Sequence, residues 1–365
     1  MKNKAKYFVL LAAILLFSGC SINKSNEEPK LIDQPYSSEK FALGTYIRIR
    51  VFDEKKESAL DDAFEKIDEL EEKISINNDS ESEDISSEVN EVNQNAGIKP
   101  VIVSNDVYNM FKIAKQYSQE TSGGFNLVIG SITQLWRIGF DDARVPDQLE
   151  IQEALTKVDF EKVILNEENK SIFLEESGMI LDPGAIAKGF IADEVAKVLK
   201  NNGVTSSIID LGGNIYVFGD NPNSKNKLWT VGVQDPNQSR GTVVGTIEMT
   251  DRTIVTSGIY ERNLKVENKV YHHIFDSKTG YPVENDIAGV SIITTNSMDG
   301  DILSTVLFTL GIKEGLRYIE EKTDDNTEAV FISKDNKIFV TEGLEDKFTL
   351  SNESDYKIGK KKSDI

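Results

Sequence analysis

A chain of 365 residues with 39% hydrophobic and 28% charged side chains has enough apolar material for a sizeable core, which excludes a wholly disordered polypeptide. Its formal charge of -20 repels nucleic acid and anionic headgroups, so an anionic substrate requires a local remedy such as a metal ion or inward-facing amides. One cysteine excludes an internal disulfide.

Lys2, Lys4 and Lys6 precede an apolar run from Tyr7 to Phe17 and then Ser18-Gly19-Cys20. This predicts an export signal over residues 1–19, too short to span a bilayer, with Cys20 acylated as the mature N-terminus of a lipoprotein. The body is then expected to be lipid-anchored on the extracytoplasmic face of the cell membrane. Residues 20–40 are polar and predict a flexible tether. A globular domain is expected over 41–345 and a polar tail over 346–365.

Within the body, Thr45 to Phe52 alternates apolar residues with arginines, as a half-exposed strand does. Leu60, Ala63, Phe64, Ile67, Leu70 and Ile74 recur at helical spacing from about residue 56 to 76, followed by a solvated loop over 77–91. Ser104 is placed to cap a helix that stops at Gly123-Gly124, and Pro146-Asp147 opens a short one. Strands are predicted at 162–165, 172–174 and 179–181. The last runs into Asp182-Pro183-Gly184-Ala185-Ile186-Ala187-Lys188-Gly189, where Asp182 is expected to cap a helix continuing to Asn202-Gly203. The glycines there permit close backbone approach, and the helix start offers amides to a phosphate; a plain strand-to-helix turn has the same residues.

Ser207 to Leu211 is an apolar strand ended by Gly212-Gly213-Asn214, and several short alternating runs up to Thr256 predict an antiparallel region. Tyr271 to Phe275 reads as a buried strand leading into a turn over Asp276 to Gly280. It carries both histidines of the chain, His272 and His273, which must face opposite ways. Any imidazole base must come from here, although two structural histidines at a strand end fit the same pattern. Strand 289–293 precedes a helix from Met298 to about Gly311, on which Asp301 and Thr305 share a face. A carboxylate and a hydroxyl so placed make part of a hard-cation site, and equally a cap and a back-bonded threonine. A helix over 313–322 and strands at 329–333 and 337–341 complete an expected α+β fold of mixed sheets and flanking helices. No Gly-x-Gly-x-x-Gly follows the first strand, so a Rossmann fold is not expected.

Taken in order, Leu43-Gly44-Thr45, Ser122-Gly123-Gly124-Phe125-Asn126, Asp182 to Gly189 with Asp193, Asp210 to Asn214, Thr256-Ser257-Gly258, Tyr260-Glu261-Arg262, His272 to Pro282 and Asp301 to Thr305 resemble the ApbE family of FAD:protein FMN transferases. The resemblance spans about residues 41–311. It implies an Mg²⁺-dependent enzyme that splits FAD at its pyrophosphate, transfers FMN to a threonine hydroxyl of an exported acceptor protein, and releases AMP. The acceptor would carry an Asp/Ser-Gly-Ala/Ser-Thr type motif. Carried over by the resemblance, Asp301, Thr305 and the carbonyl of Ala185 would hold the metal. Leu43, Gly124, Phe125, Asn126, Asp182, Lys188 and Ile274 would hold FAD, and His273 would be the base. Leu43, Asn126, Ala185 and Ile259 depart from the usual Met, Asp, Gly and Asp of the family pattern. FAD hydrolysis to FMN and AMP, and non-catalytic flavin binding by a surface lipoprotein, are the other functions such a chain can have.

Overall fold

In the computed structural model the described residues are 30–76, 87–324, 326–351 and 355–360. The expected export signal, Cys20, residues 20–29 of the expected tether, residues 77–86 of the loop expected over 77–91, and residues 352–354 and 361–365 of the expected tail lie outside them; Glu88 to Glu91, expected as the end of that loop, are helix instead. No helix among the described residues is long and apolar enough to cross a membrane.

The chain enters through a hairpin of β1 (Leu31–Ala42) and β2 (Thr45–Asp53). This corrects the expected tether, because residues 31–40 are paired strand. The segment reads as a linker because β1 is an edge strand, where Pro35 is accommodated at a register shift and Glu39 and Lys40 face water. The turn between the strands is Leu43-Gly44, both with positive φ (54° and 68°), as a two-residue hairpin connection of the primed type requires.

Helices α1 (Ala59–Ile74) and α2 (Glu88–Gln94) follow, then β3 (Val101–Ile102) and α3 (Asn105–Glu120). Two short helices come next, α4 (Gly130–Trp136) and α5 (Gln148–Leu155), the latter opened by a capping box between Asp147 and Glu150. Strands β4 (Val163–Asn166) and β5 (Ser171–Leu174) join β3 in a small sheet. The strand expected at 179–181 is absent. Leu181 instead bonds through both backbone groups to the side-chain amide of Asn93, at 2.8 and 3.1 Å, which satisfies a buried segment without a partner strand.

After α6 (Ala187–Asn201), β6 (Ser207–Leu211) and β7 (Asn214–Phe218) rejoin the main sheet. Strands β8 (Trp229–Gln234) and β9 (Val243–Met249) form a second layer, and β10 (Arg252–Gly258) returns to the main sheet. A separate hairpin, β11 (Asn263–Val266) and β12 (Lys269–His272), precedes β13 (Ile287–Thr294) and α7 (Ser297–Lys322). Gly311, at φ 80° and ψ 171°, breaks α7 where the sequence predicts one helix ending and another beginning. The chain closes with β14 (Glu328–Ser333), β15 (Lys337–Val340), β16 (Phe348–Leu350) and β17 (Lys357–Ile358). The expected polar tail thus contributes two strands, anchored by buried Tyr356, whose hydroxyl donates to Asp235 at 2.7 Å.

The main sheet has nine strands in the order β1-β2-β6-β7-β10-β13-β14-β15-β17. Helices α1, α6 and α7 cover one face, burying Ile47, Ile49, Ile191, Val195, Met298 and Ile302. The three-stranded sheet β16-β9-β8 covers the other, with Trp229, Val231 and Ile247 against Val217, Ile254 and Ile293. Strand β13 is buried at every position, which explains why its sequence is a mostly apolar run rather than an alternation, with Ser291 and Thr294 as its buried polar members. Sequential motifs far apart in the chain therefore meet where α6 and α7 lie side by side on the sheet.

Candidate active site

The start of α6 is set back from the expected position. Asp182 does not cap it; the helix begins at Ala187, after a turn in which Ile186 and Ala187 donate to Pro183 O. The Asp182 carboxylate is engaged by the Gly184 N–H at 2.8 Å and by the Thr133 hydroxyl at 2.5 Å. Asp182 thereby holds the Pro183-Gly184 bend against α4.

Gly189 marks the closest approach of α6 to α7. A Cβ at this position would lie 2.3 Å from Ser297 O, so only glycine lets the helices meet. The Gly189 N–H, which a regular helix would direct to the Ala185 carbonyl, donates to Asp301 Oδ2 at 2.8 Å. That carbonyl is released for another partner. One turn further along α6, the Asp193 carboxylate accepts from the Ser297 and Met298 N–H groups, both at 2.9 Å, and fixes the first turn of α7. Burial pushes the Asp193 carboxyl up to about 6, against the two backbone donors.

Asp301 is 6% exposed, and Thr305 stands one turn on along the same helical face. One carboxylate, one hydroxyl and one freed carbonyl are the donor types a hard divalent cation takes. Among the described residues no three His, Cys, Asp or Glu side chains gather as a metal site, so a cation here would rely on that mixed donor set.

A second wall carries the two histidines, of which His273 feels the Lys188 cation at the start of α6, and the structure separates their roles. His272 is buried and used on both sides: Nε2 donates to Val283 O at 2.8 Å, and Nδ1 accepts from the Ile274 N–H at 3.3 Å. His273 Nδ1 faces the Arg262 carbonyl at 3.3 Å. A carbonyl only accepts, so Nδ1 carries the proton and Nε2 keeps a lone pair. Burial, with the cations of Arg262 and Lys188 adding to it, pushes His273 down to about 3, and the ring is neutral near pH 7.

Lys188, Arg240, Arg262 and Glu261 gather near Asp301 and His273. Burial holds the Glu261 carboxyl above its ordinary range, with Asp301 adding to the effect and the three cations opposing it. Arg240 donates to Gly212 O at 2.6 Å and Thr45 Oγ1 at 3.1 Å, bringing the Gly212-Gly213 turn to the Leu43-Gly44 turn. Leu43 itself is pinned by its N–H, which donates to Glu71 at 2.7 Å. These three cations answer, locally, the negative charge of the whole chain.

The loop with Gly124, Phe125 and Asn126 is tied in from two sides. Ser277 Oγ donates to Gly123 O at 2.7 Å, and Thr309, whose hydroxyl makes its shorter bond to Thr305 O at 2.9 Å, lies 3.4 Å from Gly124 O. Phe125 gives its ring to the core, being 2% exposed, and Ile274 packs with Val283, Leu303 and Leu307. The Asn126 amide accepts from the Val128 N–H at 3.0 Å and donates to Val158 O at 3.4 Å. Phe125, Asn126 and Ile274 thus shape the loop and wall with side chains turned inward. Sequence reasoning did not single out Arg240, whose loop carries no motif.

The fold and this crevice place the chain in the α+β class of a crystallised protein of Thermotoga maritima named as ApbE. The two superpose with a TM-score of 0.77 at 26% identity, over 85% of this chain and 98% of the other. Residues 43–331 match the model described as ApbE family, and the chain belongs to that family. It is 35% identical over 306 residues to the FAD:protein FMN transferase of Klebsiella pneumoniae (strain 342), covering 84% of this chain and 92% of the relative. It is 32% identical over 362 residues to the protein of the same name from Treponema pallidum (strain Nichols), covering 95% and 97%.

Proposed function

We propose that this chain is an FAD:protein FMN transferase acting on a threonine of an exported acceptor protein, with Mg²⁺ held at Asp301, Thr305 and the Ala185 carbonyl. The observation that carries the reading is the Gly189 link to Asp301, which frees a main-chain carbonyl beside a buried carboxylate at a helix start bearing Lys188. A divalent ion bound there would neutralise the pyrophosphate and polarise the phosphorus under attack. Lys188, Arg240 and Arg262 would hold phosphate charge that the acidic surface repels.

In the transfer, the acceptor threonine Oγ forms a bond to the FMN phosphorus as the anhydride bond to AMP breaks. The threonyl proton passes to Nε2 of His273, and AMP leaves with the electron pair of the broken bond. His273 suits the role because its Nδ1 is already committed to the Arg262 carbonyl. The lysine-led apolar run ending at Cys20 supports placing this reaction outside the cytoplasmic membrane, with the body held by a lipid anchor.

The test is to incubate the full chain in detergent with FAD, Mg²⁺ and an acceptor carrying the Asp/Ser-Gly-Ala/Ser-Thr motif. In-gel flavin fluorescence and an FMN-sized mass gain on threonine, both abolished by chelator, are the expected results. AMP release without label would replace transfer by hydrolysis, and the formation of neither AMP nor label would refute the enzyme assignment.

A further inference from the structure

Among the described residues, the buried side-chain polar atoms without a hydrogen-bond partner are Ser104 Oγ and both amide atoms of Asn214. Asn214 is 1% exposed, and leaving such an amide unpaired is costly, so a buried amide of this kind calls for a partner. The strand register shows where it points. Asn214 is the cross-strand partner of Leu211, and Ile209 of Tyr216, so Asn214 shares the sheet face that packs on the helices.

The neighbouring strand locates it along α7. Thr253, opposite Tyr216, reaches Ser297 Oγ at 3.0 Å. Two residues on, Val255 lies 2.8 Å from where a Cβ of Gly300 would be, and Ser257 meets Ser304 Oγ at 2.7 Å. Continuing the pairing of Ile215 with Ile254 sets Asn214 beside Val255, level with Gly300 and Asp301. Because β7 packs on both α6 and α7, Asn214 lies under the seam of the two helices that the Gly189–Asp301 bond spans.

We infer that Asn214 is a binding residue whose side-chain NH₂ donates to a pyrophosphate oxygen of the dinucleotide substrate. The inference rests on the FAD reading above. An amide serves here where a carboxylate would repel phosphate, and its donor accounts for a polar group retained in an apolar layer.

The test compares wild type with Asn214→Leu and Asn214→Ala, using flavin fluorescence anisotropy with FAD and with riboflavin, which lacks the pyrophosphate. Mg²⁺ is present and no acceptor is added. Both variants are expected to weaken FAD binding about tenfold or more while leaving riboflavin affinity unchanged. Asn214→Leu should melt no lower than wild type, because an unpaired amide has been removed. Should Asn214→Leu disturb packing, the FAD-to-riboflavin affinity ratio of Asn214→Ala decides, since that ratio is measured on folded protein. An unchanged ratio in the variants overturns the role of Asn214 alone. A wild-type chain that does not prefer FAD to riboflavin overturns the FAD reading, and this inference with it.

Discussion

The two walls of the site are made by opposite means. The α6–α7 wall is assembled from residues about a hundred positions apart, joined by a buried bond from Gly189 to Asp301 and by half-buried ones from Ser297 and Met298 to Asp193. The His273 wall comes from one contiguous stretch, the β12 end and the turn over 276–280, on a hairpin outside the main sheet whose residues 265–270 are exposed. The first wall has the properties wanted where phosphate and cation must be held without rearrangement. The second has those wanted where a protein partner must approach.

The two walls differ most at Asp301. Asp301→Ala should reduce transfer to background, about a thousandfold or more, because it removes several kcal/mol of charge stabilisation at phosphorus. Activity persisting in metal-replete buffer would remove the metal assignment. On the other wall, His273→Ala should lower kcat by roughly 10² to 10⁴ with FAD affinity retained, whereas His272→Ala should lower stability by about 1–3 kcal/mol and spare chemistry. Equal kinetic losses in the two would erase the distinction between the neighbours.

Gly189→Ala should force α6 from α7 and destabilise by about 1–3 kcal/mol, read by thermal unfolding, with loss of FAD binding as a consequence. A normal melting curve would show that the helices tolerate separation.

The smallest effects are in pH dependence, and the walls differ in sign. Asp193 has a folded pKa of about 6, above its unfolded value, so the folded state holds the extra proton and its contribution to stability falls as pH rises through about 4 to 6. His273, at about 3, lies below its unfolded value, so its contribution is complete above about 6.5 and is lost as pH falls toward 3. Denaturant titrations of Asp193→Asn and His273→Gln against wild type should each flatten one of these slopes. Slopes of the same sign would contradict the burial of one or the other group.

Local pattern made much of this legible. The helical spacing of Leu60 to Ile74, the alternation of Ile47, Ile49 and Val51, and the break at Gly311 appear in the structure where the sequence puts them, because each depends on neighbours within a few residues. The pairing of Asp301 with Thr305 on one face follows from helical geometry alone. Strand β1 was not legible, since an edge strand with Pro35 and charged residues is patterned against aggregation rather than for burial. That Asp182 does not cap α6 is invisible in the local sequence, because the Thr133 hydroxyl that helps claim its carboxylate comes from a segment 49 residues earlier.

By itself the sequence determined the α+β class and the family, and it named the residues proposed for the chemistry, since composition, periodicity and ordered motifs are properties of the chain. Only the tertiary structure decided which histidine keeps a free lone pair, which carbonyl loses its helical partner, and that Asn214 is buried without a partner. Those outcomes depend on hydrogen bonds between distant segments, and a donor or acceptor is left over only once every neighbour in space has been assigned.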